Sequence, residues 1–296
     1  MHLPFGVLAI YAALTVWAAL LVFDIKRLSF GRFLGFGIAL MLVLNVRYLI
    51  EGSASAIAFF IGIYDVLDNL GVASSEGAPA LAKCPDNACT VWGDIYLNHP
   101  SWGVAFHERF LNGGSLRNAL LYGHIIFNSV TFVLMHIQLL RPGNGGNPAL
   151  HRMIGRVSFA TLTVSTFCAV WLASEHGPVG EYGGSLSKYG FWFMSMCVYG
   201  CAVMGVLKIR NGDSVAHRVW MIRFVGSMWG SFWLFRVMLF VLDPLLRNIE
   251  AASLLICIWF SAPLGILIAE FCRRRFDQRT SHAGGTTGAE RAFAAR

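Results

Sequence analysis

Apolar residues dominate seven stretches of this chain, at roughly 3–23, 33–50, 117–140, 153–174, 187–208, 219–241 and 251–271. Each is about as long as a helix crossing the ~30 Å of bilayer hydrocarbon. The third and sixth carry internal polar residues, which soften their ends. The pattern predicts an all-α, polytopic transmembrane helix bundle of about seven spans. It divides the chain into two N-terminal spans (1–50), a large extramembrane segment (51–116), a histidine-bearing five-helix bundle (117–272) and a disordered tail (273–296). Within the second part, 54–67 is apolar but follows the second span closely, which suits an interfacial or re-entrant helix. The aromatic-rich stretch 92–110 suits the membrane surface, where Trp and Tyr are favoured. The first apolar run lacks a basic leader and an obvious cleavage site, so it reads as a retained span and not a signal peptide.

Composition agrees: 56% of residues are hydrophobic and only 13% charged, against about 25% charged in soluble domains. The net charge of +7 could suggest nucleic acid, but the basic residues flank the apolar runs. They also alternate between loops. Lys26, Arg27 and Arg32 share one side with Arg141, His151 and Arg152, with Lys208, Arg210 and Arg218, and with Arg273, Arg274 and Arg275. The opposite loops hold few. The positive-inside rule therefore places the N-terminus outside and the C-terminus in the cytoplasm, in a bacterial inner membrane. The bilayer replaces nucleic acid as the expected partner.

Cys84 and Cys89 form C-P-D-N-A-C in the outer segment. An oxidising compartment would let them close a small disulfide loop; the spacing is not that of a C-x-x-C redox motif. Cys168, Cys197, Cys201 and Cys257 lie within spans. Cys197 and Cys201 share a helix face, which admits a soft-metal site but suits packing better.

Ionisable side chains are costly inside a bilayer, so the histidines carry most of the functional signal. His124 lies in the outer half of the third span, and His176 at the outer end of the fourth. His136 is near the inner end of the third. His151 and His217 stand just before the fourth and sixth. Facing histidines could hold a b-type haem, each with its second ring nitrogen fixed by a backbone or carboxylate acceptor. Arg47, Arg156, Arg223 and Arg236 could then meet propionates. His124 and His136 are twelve residues apart, or about 120° around a helix. One neighbouring helix cannot receive both. The alternatives are a site for iron, copper or zinc at the outer face, built from His99, His107, His124 and His176, or histidines that hydrogen-bond within the bundle with no cofactor. Arg236 lies near Trp229 and Trp233 on its helix, where cation–π contact or snorkelling would satisfy it.

Two inner helix starts are alike: L-H-R-M-I-G-R (150–156) and A-H-R-V-W-M-I-R (216–223). Each places His-Arg at the membrane surface and another Arg, Arg156 or Arg223, deeper. They suggest a duplicated hairpin. Such Arg pairs could hold a propionate, a lipid phosphate or a quinone oxygen, or simply anchor the helix ends.

Together with Y-G-H-I-I-F-N-S (122–129), these motifs resemble a bacterial family of multi-pass membrane proteins catalogued as a domain of unknown function. The similarity covers roughly 117–245 and implies a helical membrane bundle with no established reaction. More loosely, the bundle resembles diheme b-type transmembrane cytochromes, which carry histidines on four successive helices. This chain departs from them by placing His151 and His217 at helix starts. P-loop, nucleophile-elbow and His-Glu-x-x-His motifs are absent from the sequence. Acidic residues are nearly absent from the spans, which speaks against a carboxylate-based transporter. Three classes remain: a haem-binding redox protein with a quinone or redox partner, a metal-dependent membrane enzyme, and a non-catalytic subunit of a respiratory or photosynthetic complex.

Overall fold

The computed structural model describes residues 5–27, 31–51, 114–139, 147–174, 184–245 and 250–284, and every regular element among them is helical. The helices are α1 (Phe5–Arg27), α2 (Gly31–Glu51), α3 (Gly114–Leu139), α4 (Pro148–Ser174), α5 (Gly184–Arg210), α6 (Ser214–Trp229), α7 (Phe235–Leu245) and α8 (Glu250–Gly284). A π-helical turn, Gly230–Leu234, joins α6 to α7 without a break, so the described residues make seven rods. These correspond to the seven apolar runs. Five are long and apolar enough to cross a membrane: 31–50, 114–139, 148–174, 185–210 and 253–278. In α1 the qualifying apolar stretch is shorter, Ala12–Asp24.

The rods begin earlier than hydropathy alone indicates, because polar caps start them. Asn147 Oδ1 accepts from Ala149 N at 2.9 Å and Leu150 N at 3.4 Å, with Pro148 suited to the first helical position. Asp213 Oδ1 does the same for Ala216 N at 2.9 Å. His151 and His217 therefore lie inside the first turns of α4 and α6, not before them. Asp24 is buried at the end of α1, and its Oδ2 accepts from Phe33 N at 3.0 Å, capping α2 across the connection. Gly212 adopts φ 79° in the turn between α5 and α6, a conformation that favours glycine.

The expected disordered tail at 273–296 needs correction over its first part, since α8 remains helical to Gly284. Charge pairs along the helix support this extension. Glu270 bonds Arg273 and Arg274, and Arg273 Nη1 donates to Asp277 Oδ2 at 2.6 Å. Residues 285–296 lie outside the described residues, as do 52–113. The latter range includes the proposed interfacial helix at 54–67, the aromatic stretch 92–110, His99, His107, Cys84 and Cys89.

Neighbours in sequence are neighbours in space: α3 packs on α4, α4 on α5, α5 on α6, and α8 against α5, α6 and α7. α1 pairs with α2, which leans on α3. Small and hydroxyl-bearing residues let the helices approach. Thr131 and Thr161 share a hydrogen bond at 2.8 Å between α3 and α4, and Asn45 Nδ2 donates to Ser129 Oγ at 2.7 Å between α2 and α3. α6 and the π turn that follows it approach α8 backbone to backbone. A Cβ at Gly230 would collide with the Ser261 carbonyl, and one at Gly226 with Gly265 and Ala269. This is the small-residue contact that membrane helices use for lack of a hydrophobic drive between them. Pro263 lies within the continuous α8, next to Ser261 and Ala262, which face Gly230.

Side chains mark the boundaries along the bundle. Trp171, Tyr189 and Trp192 are exposed near one end, with Lys188 Nζ 5.0 Å from the Trp192 ring. Arg152, Lys208, Arg210 and Arg218 mark the other. From Arg152 to Trp171 along α4 is about 28 Å of helical rise, close to the thickness of bilayer hydrocarbon. The basic and aromatic residues thus bracket one hydrocarbon layer.

Candidate functional site

His136 is the most enclosed of the described histidines, only 1% exposed. Its Nδ1–H donates to the Phe132 carbonyl at 2.6 Å, and its Nε2 accepts from Trp229 Nε1 at 2.7 Å. A tryptophan N–H only donates, so this pairing fixes a neutral imidazole protonated at Nδ1. Trp229 is the last residue of α6 before the π turn. Its indole lies against Gly37, where a Cβ would overlap it, and stacks with Phe33 at 5.1 Å and Trp17 at 5.5 Å between centroids. Trp17 in turn stacks on Phe33 at 4.7 Å and donates Nε1–H to the Phe33 carbonyl at 3.0 Å. Helices α1, α2, α3 and α6 thus meet around one histidine–tryptophan bond.

His124 faces a different helix. Its Nδ1 lies 3.1 Å from the Ser165 carbonyl and 3.0 Å from Ser165 Oγ, and Ser165 Oγ donates to the His124 carbonyl at 3.2 Å. With the carbonyl as acceptor, Nδ1 carries the proton and Nε2 keeps its lone pair. Among the described residues Nε2 has no partner. The twelve-residue spacing has its predicted effect: His124 turns to α4 and His136 to α6.

His217 Nδ1 donates to the Gly205 carbonyl at 2.8 Å, tying the start of α6 to α5. His151 is exposed at the start of α4, and its carbonyl accepts from Gln138 Nε2 at 2.9 Å. The two His-Arg starts therefore share a cap four residues upstream, Asn147 or Asp213. Among the described residues no three His, Cys, Asp or Glu side chains are arranged to hold a metal ion. Cys168, Cys197, Cys201 and Cys257 are not joined in disulfides. His176 lies outside the described residues.

The arginines separate as well. Arg156 is exposed on α4. Arg223 is 28% exposed; it reaches Glu270 of α8 (Nε to Oε2, 3.4 Å) and lies over Trp220 at 4.7 Å. Arg236 is satisfied by Phe232, not by Trp229 or Trp233: Nη1 donates to its carbonyl at 2.6 Å, and the guanidinium lies 4.0 Å from its ring centroid. Phe232 precedes Arg236 by four residues, the ordinary spacing of same-face neighbours on a helix.

Residues 121–272, just over half of the chain, match the family described as "Predicted membrane protein (DUF2306)". The chain belongs to this family. No curated protein and no solved structure matches it.

The DUF2306 region spans His124, His136, His151, His217, Arg223 and Glu270, together with the partners Ser165 and Trp229. Helices α1 and α2, which supply Trp17, Phe33 and Gly37 around Trp229, lie before it. The sequence alone does not single out Ser165 or Glu270, and it offers Trp229 only as a neighbour of Arg236. Glu270 had a legible signal: a lone acid at the end of an apolar run, three and four residues before arginines. The N-caps were legible too, as Asn147 and Asp213 each precede His-Arg by four residues. Ser165 and Trp229 carry no such signal as histidine partners, because both meet their histidines across the bundle.

Proposed function

We propose that this integral membrane protein binds a b-type haem in its bundle and carries electrons, with His124 as a residue that would hold its iron. One observation supports the choice: the Ser165 carbonyl holds His124 Nδ1–H while Nε2 is unpartnered among the described residues. An axial imidazole needs that arrangement, a fixed tautomer with the other nitrogen available. His136 is the weaker candidate, since Trp229 already occupies its Nε2. Bound haem would supply reversible one-electron chemistry. The chain's part is to fix the imidazole and exclude water. His99, His107 or His176 would supply a second imidazole to hold the iron. The positive-inside rule assigns the basic ends of α4, α6 and α8 to the cytoplasm of a bacterial inner membrane.

The test is an absorption spectrum of the full chain in detergent, oxidised and dithionite-reduced, with metal analysis of the same sample. A Soret band that shifts on reduction and is lost in His124→Ala, while His136→Gln retains it, is the expected result. A band indifferent to His124→Ala would reject this ligand. Stoichiometric metal without porphyrin would favour the metal-dependent enzyme. Neither porphyrin nor metal, in protein extracted without cofactor loss, would leave the role of a complex subunit.

A further inference from the structure

The Glu270 carboxylate is a fully used acceptor. Oε1 takes Arg273 Nη2 at 2.6 Å and Arg274 Nε at 2.9 Å; Oε2 takes Arg273 Nε at 3.1 Å and Arg223 Nε at 3.4 Å. Arg273 spends its remaining nitrogen on Asp277. Arg223 and Arg274 are different. Each engages only Nε with protein, so the outer nitrogens of both, from two helices, have no partner among the described residues. Glu270 thus braces the two guanidiniums without exhausting them. The local charge is positive: Arg223, Arg273, Arg274 and Arg275 against Glu270 and Asp277.

Arg274 also ends a stripe. Phe260, Leu264, Leu267, Ile268 and Phe271 are all exposed along α8. Leu267 and Arg274 are seven residues apart, about two helical turns, and so share a face. Arg274 is 69% exposed. An apolar strip of about ten ångströms or more leading to a cationic pair matches the shape of a phospholipid, with acyl chains below and phosphate above.

We propose that the α6–α8 junction binds the phosphate of an anionic phospholipid between Arg223 and Arg274, its acyl chains lying along the exposed face of α8. The guanidiniums supply geometry-matched donors for phosphate oxygens, and Glu270 orients them. General positive-inside anchoring would instead spread the preference over every basic residue at this end. Arg152 serves as the comparison, since it lies at the same end of the bundle and, among the described residues, bonds its own helix, Nε to the Pro148 carbonyl at 3.3 Å.

The experiment uses the delipidated full chain in neutral detergent, with thermal unfolding read against added phosphatidylglycerol, phosphatidylcholine or inorganic phosphate. Phosphatidylglycerol is expected to raise Tm saturably. Arg274→Gln and Arg223→Gln should each weaken half-saturation roughly fivefold, and Arg152→Gln should leave it unchanged. Arg274 is mostly exposed, so its variant tests the site even if Arg223→Gln fails to fold. Native mass spectrometry should show fewer retained phosphatidylglycerol molecules on Arg274→Gln. Equal stabilisation by phosphatidylcholine would overturn the proposal. So would an equal loss in Arg152→Gln, which would mean diffuse surface charge. Inorganic phosphate that alone reproduces the shift and cancels the lipid effect would mean a free-anion site instead.

Discussion

Trp229 and His136 form a bond that neither partner can replace within the apolar cluster around them. Removing the donor as Trp229→Phe keeps an aromatic ring against Gly37 but leaves His136 Nε2 buried and unsatisfied. The expected loss is about 1–2 kcal/mol, between the modest value of interhelical hydrogen bonds in membranes and the cost of an orphaned buried acceptor. Thermal unfolding in detergent would read it, and an unchanged Tm would show that the bond contributes nothing net. The same reasoning applied to His124 gives the opposite emphasis, since Ser165 uses one nitrogen and spares the other. Residue identity does not separate these two histidines; the partner across the bundle does.

Helix contact depends on small residues at defined positions, and glycines in the same bundle differ sharply. Gly230→Leu would drive a side chain into the backbone of α8 at Ser261 and Ala262, where nothing flexible can yield. Gly200 on α5 has open space where a Cβ would stand, with nothing within 4 Å. Gly230→Leu should therefore lose several kcal/mol or fail to fold (overpacking typically costs about 1–3, and backbone contact more). Gly200→Ala should be neutral or stabilising by up to about 1 kcal/mol, because alanine is the better helix former. Size-exclusion profiles and Tm of the two variants, side by side, check this. Equal effects would mean that α6 and α8 do not pack through Gly230. The π turn itself, through Gly230, makes this contact, beside Pro263 of α8.

The whole molecule has a basic end and an aromatic end about one hydrocarbon thickness apart. If the basic end is cytoplasmic, a reporter that is active only in the cytoplasm, fused after residue 284, should be active. One active only outside the cytoplasm should be silent there. The reverse result would invert the bundle and remove the positive-inside argument. Seven rods, their approximate limits and their charged ends were legible from the sequence, because burial in lipid demands continuous apolar runs and penalises charge almost independently of packing. The helix starts were misplaced by a few residues because capping is local and polar, and hydropathy does not register it. The Asn147 and Asp213 caps and the Glu270–Arg273–Arg274 spacing could have been read, but Arg223 as the fourth member of that cluster could not.

The sequence alone determined the bundle class, the span pattern and the two faces reached by His124 and His136, since each follows from hydropathy or from the fixed angular step of a helix. Tertiary structure decided what those histidines do with their nitrogens. Trp229 comes 93 residues after His136, and Ser165 comes 41 after His124. Contacts at such separations depend on which helix packs where; the four-residue spacing of Gly226 and Gly230 marks a face for close packing, but it does not name the helix that fills it.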